Sequence, residues 1–293
     1  MKIIDAHNHP DWLGMDLPRY LENMDRFGIA KTWLLGWECP RSDFHDGTPS
    51  VVPGALLGVS TGPIPFARCV SYAERAPERF ILGYAPDPRD EDACRKLCAA
   101  HDIYGARLCG EAKWRMMYDN FDCLRLFRTA GRLHMPVTMH FGYDFQLNYE
   151  DRRREWHGGS IATLENVLRS CPETVFLGHA PGFWVHISDD DRWQDSERYP
   201  VGDPMPVKRE GALVKLLRKY PNLYCDISAN SGLFGLSRDP EYAKEFLVEF
   251  QDRVLYARDC FHNRHQEFLN SLGLPESVLA KIYSGNAERL LEN

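Results

Sequence analysis

No stretch of the chain approaches the roughly 20 consecutive apolar residues of a membrane-spanning helix. Its longest apolar runs are of strand length with charges close by, so a membrane is not the expected setting. Positive charge is also scarce. Lysine and arginine total 35 against 42 aspartates and glutamates, a net charge of -7, which argues against nucleic acid or an anionic membrane as the partner. Neither G-x-G-x-x-G nor a P-loop follows a strand, so dinucleotide and nucleoside-triphosphate folds lose their signature. Paired cysteine knuckles are missing as well. The nine cysteines are scattered, with only Cys94 and Cys98 close together at helical spacing. This pattern reads as reduced, mostly buried thiols rather than a disulfide framework or a structural zinc cluster. Met1-Lys2 leads straight into an apolar run, leaving no room for a signal peptide, so a cytosolic protein is expected.

What is present begins with that first run, Ile3-Ile4-Asp5-Ala6-His7-Asn8-His9. Alternation along a strand puts both imidazoles on one face. Two neutral imidazoles close together are half of a transition-metal site, since each offers a lone pair without a charge to desolvate.

Strand-like and helix-like segments then alternate along all 293 residues. Strands are expected at 32–36, 79–85, 103–109, 136–141, 174–179, 222–227 and 254–257 after the first, with helices between them. Eight strand-helix units with apolar, β-branched strands imply a parallel sheet covered by helices. The expected fold is an α/β (β/α)8 TIM barrel, one domain over 1–293, with long loops at its C-terminal face. An open doubly wound sheet is the alternative.

In such a barrel chemistry sits at the C-terminal ends of the strands. His7, His9, His140, His179 and Asp259 all fall there, with Glu111 just beyond the fourth strand. Imidazoles and carboxylates converging on one mouth fit a divalent metal, Zn²⁺ first and Mn²⁺ or Fe²⁺ as alternatives. Trp12, Trp37, Trp114, Trp156, Trp184 and Trp193 lie in or near the passages expected to roof that mouth. Of these, Trp184, five residues past His179, is the candidate substrate wall.

The motifs Ile4-Asp5-Ala6-His7-Asn8-His9, Val137-Thr138-Met139-His140, Leu177-Gly178-His179-Ala180 and Leu255-Tyr256-Ala257-Arg258-Asp259, with the closing run from Ile282 to Leu291, resemble the amidohydrolase superfamily. The likeness is to its amidohydrolase-related branch of metal-dependent hydrolases, lactonases and nonoxidative decarboxylases such as aminocarboxymuconate-semialdehyde decarboxylase. The resemblance implies that His7, His9, His140 and Asp259 hold the metal and that His179 orients or polarises the substrate or the attacking water. Glu111 matches a position where many superfamily members place a metal-binding carboxylate or carboxylated lysine; Lys113 is a weaker candidate. The chain departs from its relatives at Arg258, where they often carry a small residue, and at Cys260.

The expected reaction is attack by metal-activated water on an ester, lactone or amide of a small substrate, with Asp259 as general base. Decarboxylation of a small carboxylic acid is the alternative. Arg107, Arg115, the run Arg152-Arg153-Arg154 and Arg258 offer bidentate partners for an acidic substrate. A catalytically silent barrel serving as scaffold or sensor would be expected to have lost a ligand. A homodimer is expected only by analogy with other barrels.

Overall fold

The computed structural model describes residues 1–43, 63–142, 157–190, 206–208 and 211–292. Arg152, Arg153, Arg154, Trp156 and Trp193, and much of the expected roof over the mouth, lie outside the described residues.

Eight strands form the frame: β1 (Ile3–Asn8), β2 (Ile29–Trp37), β3 (Phe80–Ala85), β4 (Cys109–Ala112), β5 (Val137–His140), β6 (Phe176–His179), β7 (Leu223–Asp226) and β8 (Val254–Leu255). All ladders are parallel, running β1-β2-β3 and β4 through β8. Two seams join these groups. Tyr84 N–H donates to Leu108 O at 3.0 Å and Arg107 N–H to Leu82 O at 2.9 Å, while Ala6 N–H reaches Tyr256 O at 3.0 Å. The last bond links the first strand to the eighth, and the sheet closes into a barrel.

Around it lie α1 (Leu17–Arg26), α2 (Phe66–Arg75), α3 (Ala93–Tyr104), α4 (Phe121–Arg132), α5 (Ile161–Ser170), α6 (Pro181–Trp184), α7 (Ala212–Lys219), α8 (Ala229–Ser237), α9 (Pro240–Glu249), α10 (Arg264–Ser271), α11 (Glu276–Ala280) and α12 (Asn286–Arg289). Several start where a side chain accepts from an otherwise unpaired N–H. Asp16 accepts from Arg19, Asn120 from Asp122 and Cys123, and Asp239 from Tyr242. Gly28, just past the end of α1, has φ +68, the left-handed value that glycine adopts without strain.

The apolar residues divide into two layers. Helix faces pack on the outside of the sheet, with Tyr20, Met24, Leu97, Phe127, Leu164 and Phe246 among the residues sealed there. Inside the barrel a smaller cluster of Ile4, Ala6, Trp33, Leu35, Leu108, Leu177, Leu255 and Ala257 meets Ala287 and Leu290 of the C-terminal turns. The closing run therefore plugs the end of the barrel opposite the histidines.

Two expected boundaries are corrected. Residues 103–109 were expected as the fourth strand, yet Ile103 and Tyr104 finish α3 and are exposed, and the strand begins at Cys109. Gly105, with φ +67, ends the helix, so helix continuation to that glycine overrides the β preference of Ile103 and Tyr104. The eighth strand is shorter than 254–257, although Tyr256 still bonds to both Ala6 and Ile282.

Candidate metal centre

The barrel brings six side chains to one place. His7 lies near the end of β1 and His9 just beyond it, Glu111 belongs to β4 rather than lying beyond it, His140 ends β5, His179 ends β6, and Asp259 follows β8. Register sets His140 directly beside His179, with ring centroids 5.3 Å apart, and the His7 and His179 centroids are 4.3 Å apart. Strand β6 reads Leu177-Gly178-His179 because Phe183 folds back over it. A Cβ on Gly178 would meet that ring at 2.1 Å.

Glu111 stands at the centre. One of its oxygens, Oε1, accepts from His140 Nδ1 at 2.6 Å and lies 3.6 Å from His179 Nε2. The other, Oε2, is 3.5 Å from His9 Nε2 and 3.9 Å from His7 Nε2. His9 Nε2 is also 3.6 Å from Asp259 Oδ1. Metal-compatible donor groups form from His7, His9 and Glu111, from His7, His179 and Asp259, and from Glu111, His140 and His179.

The outer nitrogens of three imidazoles are fixed by acceptors. His7 Nδ1–H donates to Asp226 Oδ2 at 2.9 Å and His179 Nδ1–H to Asp226 Oδ1 at 3.0 Å, while His9 Nδ1–H donates to Leu35 O at 2.8 Å. A carbonyl or an ionised carboxylate can only accept, so each of these protons sits on Nδ1, which leaves Nε2 as the nitrogen that would face a metal. Ser228 Oγ supports the arrangement, donating to Asp226 Oδ1 at 2.6 Å.

Electrostatics sorts the six residues. Burial pushes His9 down to about 3 and, together with Lys113, His140 down to about 4, so both rings are neutral. Burial opposes charge on His7 too, but Asp226, Asp259 and Glu111 outweigh it and raise that ring to about 9. Burial also works against the Asp226 and Glu111 carboxylates. The histidines hold Asp226, and Lys113 with the histidines holds Glu111, well below the usual carboxylate range. Asp259 moves the other way, raised by burial and by the charge of Glu111. Such a field favours a cation at the centre.

Whether a metal fits can be judged from the polar atoms left over. His7 Nε2, Glu111 Oε2 and Asp259 Oδ1 are buried and have no hydrogen-bond partner among the described residues. Orphaned buried atoms of this kind cost about 1–3 kcal/mol each, more when charged. A divalent ion satisfies nitrogen and oxygen donors together, and imidazole with carboxylate suits Zn²⁺, Mn²⁺ or Fe²⁺. The residues therefore fit the expected cofactor.

Asp259 is aimed by strained backbone. Its φ of +49 lies in the left-handed region, held by Asp259 N–H to His7 O at 2.9 Å and Trp12 Nε1–H to Asp259 O at 3.0 Å.

Two expected substrate contacts have other partners. Arg258 is completely buried. Its Nε donates to Asp5 Oδ2 at 2.8 Å and its Nη1 to Asn23 Oδ1 at 2.9 Å. Burying a guanidinium requires a carboxylate nearby, and Asp5 satisfies it without a substrate. Trp184 is sealed as well, packed on Phe183 and Phe246, with Nε1–H donating to Asp226 O at 3.0 Å. It braces Asp226 instead of lining a pocket. Lys113 places its ammonium 5.5 Å from the Trp37 ring centroid.

Sequence reasoning missed Asp226 and Ser228. Asp226 ends β7 as the histidines end β5 and β6, so the strand-end rule that found them could have found it. His157 is buried as well, with its ring centroid 5.2 Å from that of His140.

The sequence profile of the family described as Amidohydrolase matches residues 66–292. The chain belongs to the amidohydrolase family. It is an enzyme of that family. The matched span of this amidohydrolase includes Glu111, His140, His179, Asp226 and Asp259, while His7 on β1 and His9 just after it precede that span.

Solved structures share the TIM-barrel fold. An uncharacterized TIM-barrel protein from Bordetella bronchiseptica is 18% identical with a TM-score of 0.67, covering 99% of this chain and 98% of that one. A dihydroxybenzoic acid decarboxylase from Polaromonas, with bound manganese and the inhibitor 2-nitroresorcinol, is 16% identical with a TM-score of 0.62, covering 99% and 97%. A protein from Acinetobacter baumannii assigned as a 2-pyrone-4,6-dicarboxylic acid hydrolase, with citric acid bound, is 10% identical with a TM-score of 0.58, covering 100% of both chains. Among curated proteins nothing matches. No described helix is long and apolar enough to cross a membrane.

Proposed function

We propose that this amidohydrolase is a hydrolase that cleaves an ester, lactone or amide bond in a small molecule, working as a single-domain cytosolic enzyme. The observation that supports hydrolysis is the position of Glu111 among the histidines, facing His9 and His7 with one oxygen and His140 with the other. With Asp259 it makes two buried carboxylates around one centre. Two anions largely neutralise a divalent ion and repel a substrate carboxylate seeking the same place, so a neutral carbonyl is the better ligand.

His7, His9, Glu111, His140 and Asp259 are the residues that would hold the metal, with Zn²⁺ the first choice. A divalent ion bound there supplies positive charge that acidifies a water and polarises a carbonyl. Asp259 takes one proton from the attacking water as its oxygen bonds to the carbonyl carbon, then passes that proton to the leaving heteroatom. The burial that raises Asp259 lowers the cost of holding the proton between those events. His179, fixed through Nδ1 by Asp226, keeps its Nε2 facing the same space and orients the carbonyl or the water.

The test is a panel of small neutral esters, lactones and amides run beside aromatic and aliphatic carboxylic acids. Hydrolysis should appear in the first set, and Asp259→Asn should lower its kcat by about 10²–10⁴-fold. Release of carbon dioxide from the second set, with no hydrolysis in the first, would replace this reading with decarboxylation.

A further inference from the structure

We propose a second metal site, for Zn²⁺ or a similar borderline-soft divalent ion, built from Cys260 and His262 on the turn after β8 and His265 on the first turn of α10. One donor atom from each lies within 4.8 Å of the others, and none of the three belongs to the donor groups of the main centre. Cys260 Sγ is 3.5 Å from His262 Nδ1, and the His262 and His265 rings stack at 5.7 Å with an interplanar angle of 8°.

The decisive atom is His265 Nδ1. The other ring nitrogen, Nε2, lies 3.0 Å from Ala229 O, and because a carbonyl only accepts, the proton sits on Nε2. Nδ1 thus carries a lone pair. It is buried, on a residue with no solvent exposure, and has no hydrogen-bond partner among the described residues. A thiolate with two imidazoles matches the donor preference of Zn²⁺ and Co²⁺ rather than Mg²⁺ or Ca²⁺. His262 is only half-buried, so solvent completes a fourth position. On binding, Cys260 gives its thiol proton to solvent. The sequence offered no such site because C-x-H-x-x-H has no paired cysteines.

The location gives the ion a task. Asn8 Nδ2 donates to Cys260 O at 2.9 Å and Asn23 Nδ2 to Phe261 O at 2.8 Å, which ties the Asp259 turn to β1 and α1 on one side. A metal on Cys260, His262 and His265 fastens the same turn to α10 and, through Ala229, to the start of α8. It is a structural clamp that holds Asp259 in its left-handed conformation.

The test strips the full-length protein with a chelator, reloads it with Co²⁺ and records its absorption. The main centre contains no sulfur, so a thiolate-to-cobalt charge-transfer band in the near ultraviolet reports on the Cys260 site. The wild type should show the band and bind about one equivalent of cobalt more per chain than Cys260→Ser or His262→Ala. Both variants should lose the band while keeping the visible bands of cobalt held by nitrogen and oxygen. His140→Ala should retain the thiolate band, which separates this site from the fate of the main centre. A wild type without the band, or a band unchanged in both variants, overturns the proposal.

Discussion

Asp226 divides its two carboxylate oxygens between imidazoles on either side of β7, Oδ2 to His7 at 2.9 Å and Oδ1 to His179 at 3.0 Å. Both rings owe their tautomer to it. In Asp226→Asn the amide oxygen can still accept from one ring, but the amide NH2 faces the other and forces that ring to accept at Nδ1. The proton then moves to Nε2 and removes a lone pair from the centre. The variant should fold and bind metal about 10–100-fold more weakly, as outer-shell losses typically do. Competition with a chromophoric chelator measures this, and an affinity equal to wild type would show that Asp226 does not set the tautomers.

The metal-stripped protein should have a stability optimum in pH. Desolvation lowers the pKa values of His9, His140, His186 and His265 to about 3 or 4, against about 6.5 when unfolded. Between those values the unfolded chain binds more protons, so stability rises with pH up to about 6.5. The raised carboxyl of Asp259 offsets part of that rise. His7 has the opposite sign. Its folded value of about 9 exceeds the unfolded one, so its contribution is complete below about 6.5 and is lost as pH climbs towards 9. Melting temperature followed from pH 4 to 9 should therefore peak near neutrality, and His7→Gln should flatten the alkaline side. A curve that keeps rising through pH 9 in the stripped wild type would contradict the protonated His7.

The barrel and its mouth were legible because they rest on period and position. Parallel strands buried on both faces read as apolar runs, and His140 and His179 end theirs at matching register, so alternation and strand ends alone bring them together. Contacts made across the barrel were not legible. Asp226 looks like any polar residue after a strand until β1 and β6 close around it. Arg258 looked like a substrate contact because an arginine beside a site residue is usually solvated, and only strand closure places Asp5 against it. Short helices such as α6 and α11, of four and five residues, carry little helix signal of their own because they depend on tertiary support.

The Arg258 pairing carries its own prediction. Asp5 and Arg258 are both fully buried, and Asp5 accepts from the Arg258 backbone N–H at 2.8 Å as well as from its side chain. Removing the guanidinium alone leaves a buried carboxylate without its counter-charge, a loss typically of about 3–5 kcal/mol. Arg258→Ala should therefore lower the denaturant midpoint strongly. The double variant Asp5→Asn with Arg258→Met should lose less than the two single losses combined, because the charge is removed together with its partner. A residue that gripped substrate would behave differently, raising KM while leaving the midpoint near that of the wild type. Equilibrium unfolding beside steady-state kinetics on the same variants separates the two. The buried pair predicts that stability moves first, with activity falling only as Asp259, the next residue in the chain, loses the backbone conformation that the pair supports.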